Sequence, residues 1–290
     1  MERPGPSRRE VVSGVLALCT VAGVPAAVAV GDELRFGLTP VFLTSDLELL
    51  DRLRSYLERA TGLPIRLVTR RTYQEITSLL LSGQLDAAWI CGFPFVANRP
   101  RLALVAVPVW QGQPLYRSYL ITARDREAAS VDDLRDDVHA FSDPDSNSGW
   151  LVTATALAGK GQTPERFFGR TIFTYGHRNV VRAVASGLAM SGSVDGYVYE
   201  VLRETEPDLV APTKVIHRSE LLGFPPVACA AGAAEDRRIR NLQAALVAMA
   251  DHPDGRAVLG MLRLDGFRVE EPSLYDTIAA EVAVVRGGSG

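Results

Sequence analysis

The sequence predicts an α/β protein built in two lobes, and three observations carry the prediction. Short apolar runs alternate with segments of helical spacing, in the strand–helix–strand order of a parallel sheet with crossover helices. That series occurs twice along the chain. A final strand-like run, Val227–Ala230, then returns the chain towards its first half and is followed by two amphipathic helices. With 290 residues the chain is long enough for one large domain or two medium ones.

The first series opens with Leu34–Leu38 as a strand ended by Thr39-Pro40. Asp46 is a good cap for a helix with apolar residues at Leu47, Leu50, Leu53, Tyr56 and Leu57, stopped by Gly62. Ile65–Thr69 alternates as a strand. Thr72 caps a second helix with Ile76, Leu79 and Leu80 inward and Gly83 at its end. Asp86–Cys91 is the third strand, Leu102–Trp110 a further apolar run, and Tyr116–Ile121 another strand. Ligands of such sheets sit beyond the carboxyl ends of the strands. Thr39–Ser45, Arg70–Tyr73 and Cys91–Phe95 fall there.

The second series starts with a short helix at Val131–Leu134 and a strand at Val138–Phe141. A helix opens at Thr163-Pro164, Thr171–Phe173 is a strand, and Val180–Ala185 is helical up to Gly187. Val194–Tyr199 reads as a strand with Tyr197 and Tyr199 on one face. Glu235–Ala250 and Arg256–Leu262 read as helices, with a turn at Gly266-Phe267. The division expected is an export signal at 1–29, a first lobe at 30–120 and 222–285, a second lobe at 121–221, and a disordered Gly/Ser-rich tail at 286–290. The crossings between lobes are expected near Tyr119–Ala123 and Ser219–Pro226.

The N-terminus has the composition of a targeting segment. Arg8-Arg9 precede the apolar run Val11–Val24, and Ala27-Val28-Ala29 is a small-x-small cleavage site. The pair Arg8-Arg9 leaves both a general export route and a twin-arginine route open. A bacterial periplasm is the expected compartment, which leaves Cys91 and Cys229 in an oxidising environment where one disulfide is open to them. The net charge of −3 gives no reason to expect nucleic acid. No two histidines have metal-ligand spacing, so neither a metal nor a cofactor is expected.

The most informative stretch is Phe141-Ser-Asp-Pro-Asp-Ser-Asn-Ser-Gly-Trp150. A strand ends, a turn follows, and Ser146, Asn147 and Ser148 stand where a helix begins. Such residues cap helices, and the free N–H groups there carry partial positive charge. Hydroxyls, an amide and free N–H groups together suit a small anion. An ordinary capped helix accounts for the same residues.

Asp143–Gly149 resembles the Asp-Pro-x-Ser-Thr-Ser-Gly segment of periplasmic phosphonate-, phosphite- and phosphate-binding proteins of ABC transporters. Asp86–Gly92 is similar to the strand of that family that opens onto the ligand, and Gly176-His177 with Val184, Gly187, Val194 and Asp195 is similar to its Ser-His…Val…Gly…Val-Asp pattern. The resemblance implies a two-lobed type II periplasmic binding protein fold with the ligand cleft between the lobes. It implies capture of a tetrahedral oxyanion by closure, with Ser146, Asn147, Ser148 and His177 as ligand-binding residues, and Tyr197 and Ser118 as further candidates. The partner implied is an ABC transporter permease, and a monomer is expected. Asn147 stands for the usual Thr, Gly176 for a Ser, and Phe95 for a Tyr. Trp89–Gly92, Asp195–Tyr197 and Leu264–Phe267 also look like the arsenite-binding members that feed sensor kinases. There Cys91 would be the ligand, since a thiolate suits a soft centre. A small buried apolar residue and a disulfide to Cys229 are the other readings of Cys91.

A binding protein without catalysis is the leading function. The second class is an enzyme on the same fold, with Cys91 as nucleophile and His177 as base. No third orienting group or nucleophile elbow supports that pair. His139 reads as structural, and Arg70 and Arg71 as solvated.

Overall fold

The computed structural model describes residues 1–2, 33–40 and 47–287. The expected export signal lies outside them apart from its first two residues, as does the cap expected at Asp46.

The chain opens with β1 (Leu34–Leu38), α1 (Leu47–Thr61), β2 (Ile65–Thr69), α2 (Tyr73–Leu81), β3 (Ala87–Trp89), α3 (Gly92–Ala97) and β4 (Leu102–Val109). Strand β1 lies between β2 and β3, parallel to both, with Phe36 level with Leu67 and Ala87. Helix α1 buries Leu49, Leu53, Tyr56 and Leu57 on one face, the 3.6-residue period in practice. Helix α2 starts on a capping box: the Thr72 hydroxyl accepts the Glu75 N–H at 3.2 Å, and the Glu75 carboxylate accepts the Thr72 N–H at 3.0 Å. Strand β3 ends at Trp89, two residues before the sequence predicts. Cys91 is the residue that precedes α3 in extended conformation.

The predicted strand Tyr116–Ile121 is divided in two. β5 (Leu115–Tyr116) and β6 (Ser118–Ala123) belong to different sheets, with Arg117 between them. Strand β6 pairs with β9 (Ser191–Asp195), Ser118 opposite Asp195. Ser118, Tyr119 and Leu120 therefore belong to the second sheet, and the first crossing lies at Leu115–Arg117.

That second sheet has the order β10-β6-β9-β7-β8. It is built from β7 (Val138–Phe141), α4 (Val152–Ala158), α5 (Pro164–Phe167), β8 (Arg170–Phe173), α6 (His177–Ala185), β9, α7 (Gly196–Thr205), α8 (Pro207–Val210) and β10 (Thr213–Arg218). The strand expected over Val194–Tyr199 stops at Asp195. The Asp195 carboxylate accepts the Val198 N–H at 3.1 Å and so starts α7, which carries Tyr197 and Tyr199. A helix-capping Asp overrides the period-two pattern of the apolar run.

The chain then returns through β11 (Leu222–Gly223), which pairs antiparallel with β5. This two-stranded ribbon carries both crossings. β12 (Val227–Ala230), α9 (Arg237–Val247), α10 (Pro253–Leu262), β13 (Gly266–Arg268) and α11 (Asp276–Gly287) complete the first lobe. Its sheet order is β13-β4-β12-β3-β1-β2. Gly266-Phe267, expected as a turn, is an edge strand against Val109 and Pro108. Arg286 and Gly287, expected in a disordered tail, close α11. Among the described residues no helix is long and apolar enough to cross a membrane.

Candidate functional site

The two lobes meet where the carboxyl ends of β1–β3 face those of β7–β9. Strand β7 delivers the chain to Ser142 and the Asp143–Gly149 turn. From Ser146 a single wide turn, Asn147–Leu151, leads straight into α4; Leu151 N–H reaches back to Ser146 O and Val152 N–H to Asn147 O. Wide turns of this kind recur at functional sites. The Ser146 hydroxyl caps this start by accepting the Gly149 N–H at 2.9 Å, leaving its own hydrogen free to donate. Gly149 has no room for a side chain: a Cβ there would lie 1.9 Å from Ser142 Oγ and 2.8 Å from Ser142 Cβ.

The turn is held by the opposite lobe. Asp143 accepts the Asp145 N–H at 2.8 Å and, across the cleft, the Tyr73 N–H at the start of α2 at 3.2 Å. Asn147 N–H donates to Cys91 Sγ at 3.2 Å, and Asn147 Nδ2 donates to the Tyr116 hydroxyl at 3.0 Å. Asn147 Oδ1 and Ser142 Oγ are buried without a partner among the described residues. The Ser118 hydroxyl donates to Ser148 O at 2.6 Å. Outside this group Phe93 stacks on Trp150 with ring centres 6.1 Å apart. The Asp143–Tyr73, Asn147–Cys91 and Phe93–Trp150 contacts join the lobes, so the state described is closed.

His177 begins α6 directly after Gly176, whose φ of +155° is a conformation that favours glycine. This explains the glycine at a position where the family pattern has Ser. His177 Nδ1 accepts the Asp195 N–H at 3.0 Å. Burial holds the ring neutral, its pKa lowered to about 3. The remaining proton is therefore on Nε2, which lies 3.3 Å from the Tyr73 hydroxyl and donates to it. Tyr73 is left with its own hydrogen to donate into the cleft.

Burial also pushes the Cys91 thiol up to about 12, against hydrogen bonds from the Asn147 and Phe93 N–H groups that lower it. Asp195 is pushed up to about 7 by burial and Asp143 is raised for the same reason. A neutral thiol and an imidazole committed to Asp195 and Tyr73 do not make a nucleophile–base pair. Cys91 and Cys229 are both free thiols. Among the described residues no group of three or more His, Cys, Asp or Glu is placed to hold a metal ion.

Of the residues named from sequence, Cys91, Ser118, Ser146, Asn147, Ser148 and His177 come together at this junction. Tyr197 does not: its hydroxyl donates to Leu262 O and its ring packs on Trp110 and Phe224. Tyr73, Tyr116, Asp143 and Asp195 join the site without having been singled out for it. The sequence signals for the first two were position, Tyr73 at the carboxyl end of β2 and Tyr116 beside Ser118. His139 is structural in geometry, bonded to the Ser191 and Ser193 hydroxyls at 2.8 Å each and stacked on Phe168.

Solved structures of similar fold include the binding protein component of an ABC phosphonate transporter from Pseudomonas aeruginosa. It has a TM-score of 0.81 at 20% identity over 89% of this chain and 88% of that one. PhnD1 from Prochlorococcus marinus, in complex with methylphosphonate, gives 0.77 at 18% identity over 88% and 98%. The periplasmic aliphatic sulphonate binding protein SsuA from Escherichia coli gives 0.58 at 15% identity over 88% and 86%. Residues 36–275 match the family described as "ABC transporter, phosphonate, periplasmic substrate-binding protein". With the match running from β1 to the start of α11, the chain belongs to the periplasmic substrate-binding protein family of phosphonate ABC transporters.

Proposed function

We propose that the protein captures a small tetrahedral oxyanion of the phosphonate, phosphite or phosphate type between its lobes and presents it to a membrane permease. The observation that carries the reading is the junction itself. The turn that opens the 147–158 helical segment is tied to the opposite lobe by Asp143 accepting the Tyr73 N–H and by the Asn147 N–H donating to Cys91 Sγ, and the Tyr73 hydroxyl meets His177. Donors from both lobes are satisfied together only when the lobes are closed, so binding and closure are one event. The ligand leaves unchanged.

The arsenite alternative needs Cys91 as its ligand. Its thiol is held neutral and already accepts two N–H groups. The family match supports the oxyanion reading and lends the arsenite reading nothing.

The test is calorimetric titration of the mature chain with phosphate, phosphite, methylphosphonate and aminoethylphosphonate, with ethanesulfonate and arsenite as comparison ligands. Saturable binding of at least one phosphorus oxyanion, retained in Cys91→Ser, is the expected result. Binding of arsenite alone, abolished by Cys91→Ser, refutes the reading.

A further inference from the structure

Among the described residues the junction holds buried carboxyl groups and no cationic side chain. Asp143 and Asp195 are each 1% exposed. The carboxylate of Asp143 is bonded to backbone N–H groups of Asp145 and Tyr73, and that of Asp195 to the N–H of Val198. Among the described residues neither forms an ion pair, and no Lys or Arg contributes to the electrostatics of either. Asp145, half-buried in the same turn, adds a third carboxylate.

The titratable groups facing Asp195 come from every element packed around it: His177 on α6, Tyr73 on α2, Cys91 before α3, Tyr116 on β5 and Tyr197 on its own helix. None is a cation at neutral pH. The donors that remain are neutral hydroxyls and backbone N–H groups. Beside them stands an acceptor. Asn147 is fully buried, its Nδ2 is bonded to Tyr116, and its Oδ1 has no partner. A buried acceptor without a donor is a penalty that a bound molecule can lift.

Resting on the oxyanion reading of this cleft, we infer that it takes the oxyanion in its singly ionised form. One ligand oxygen keeps its hydrogen and donates it to Asn147 Oδ1, and the carboxylates of Asp143 and Asp195 exclude the fully ionised form. A second negative charge on the ligand would face Asp143, and Asp195 in its ionised form, in a water-excluded space with no cation among the described residues to offset it. It would also remove the hydrogen that Asn147 Oδ1 requires. Asn147 and Asp195 are thus specificity-determining residues for the protonation state of the ligand. A hydroxyl at position 147 would donate as well as accept; the amide oxygen only accepts.

The experiment is titration of the mature chain with phosphite and with methylphosphonate from about pH 5.5 to about pH 9, where only the singly ionised fraction counts as competent ligand. Phosphite loses its second proton at a lower pH than methylphosphonate. Affinity is expected to hold on the acid side and then fall about tenfold per pH unit above each ligand's own second ionisation, phosphite breaking first. Asp195→Asn keeps a good helix cap, and thermal denaturation of the free variant checks its fold. It is expected to raise affinity at the alkaline end by about tenfold or more, since one pH unit of discrimination corresponds to that factor. Asp143→Asn carries the same arm if Asp195→Asn folds poorly. Affinity that is flat or rises with pH overturns the inference. So does a break at the same pH for both ligands, which places the proton on the protein. So does aminoethylphosphonate binding that survives at the alkaline end and is lost in Asp195→Asn, which gives the carboxylates to an ammonium group. If no oxyanion binds at any pH, the oxyanion reading itself fails.

Discussion

Replacing Tyr73 by Phe removes one oxygen from the closed junction and nothing from either lobe's own packing. Tyr73 is fully buried, and its hydroxyl is the acceptor for the Nε2–H of His177, 3.3 Å away on the opposite lobe. In Tyr73→Phe that N–H is buried without a partner whenever the lobes are closed. A buried donor left unsatisfied costs about 1–3 kcal/mol. With the lobes apart, water reaches the ring and the penalty vanishes, so the cost falls on closure. At 1.4 kcal/mol per decade, affinity for methylphosphonate drops by roughly 5- to 150-fold. Thermal unfolding of the ligand-free chain changes little by comparison. The assay is calorimetric titration of wild type, Tyr73→Phe, His177→Ala and the double variant at neutral pH. The coupling energy of the cycle is expected to exceed about 0.5 kcal/mol, as for residues in direct contact. Affinity in Tyr73→Phe within about twofold of wild type, or single effects that simply add, would refute the claim that this hydrogen bond forms on closure.

Cys91→Ser keeps an acceptor for the Asn147 N–H and should change oxyanion affinity by less than about tenfold, whereas Cys91→Ala leaves that N–H bare and should weaken binding by roughly 5- to 150-fold; titration of the pair decides. Gly149→Ala drives a Cβ to 2.8 Å from Ser142 Cβ, an overpacking cost of about 1–3 kcal/mol, so calorimetric Tm falls by several degrees and binding is lost. Glu281, with Oε2 buried and unpartnered near Glu220, has its pKa raised to about 7 by burial. A carboxyl raised in the folded state supports stability that is full below its unfolded value and is lost as pH rises through about 7. Glu281→Gln should therefore raise Tm above pH 8, by up to about 3 kcal/mol of stability, and leave it unchanged near pH 4. His139 runs the other way. Its folded pKa is lowered to about 3 by burial, so stability is full above the unfolded value and falls as pH drops below it. Urea titrations at descending pH should show a shallower acid loss in His139→Gln.

How much of this was legible in the sequence differs by length scale. The βα alternation placed β1, β2, β7 and the Thr72 cap, because hydrophobic period and capping chemistry are local. The same local logic marked Ser146, Asn147 and Ser148 together as a capped helix start, and the cap among them is Ser146. It failed where two local rules competed. Val194–Tyr199 alternates like a strand, yet Asp195 is a cap, and the cap prevailed because β9 ends at the cleft where a helix can start. Strand β13 was invisible because three residues acquire strand geometry only by pairing with β4. Tyr73, Asp143 and Asp195 were missed for a different reason. The roles of Tyr73 and Asp143 arise from contacts between lobes and that of Asp195 from its pairing with His177 across two elements of one lobe; the Tyr73–His177 pair spans 104 residues of chain. No pattern within one element reports which hydroxyl meets which ring.

The Asp143–Gly149 turn carries both the fold of the second lobe and the chemistry of the cleft, and this bears on how specificity can change. Gly149 must stay small because Ser142 occupies the space of its Cβ, and Ser146 must stay an acceptor because it caps the Gly149 N–H. Asp143 must span from Asp145 to Tyr73. Those positions have structural duties that a change of ligand cannot relax. Asn147 is different: its backbone N–H meets Cys91, but its side-chain oxygen has no partner among the described residues. Cys91 likewise supplies only an acceptor, a part that a hydroxyl also fills. Variation in ligand preference on this scaffold should therefore concentrate at 147 and 91. Substitutions at 143, 146 and 149 should instead lose binding and thermal stability together.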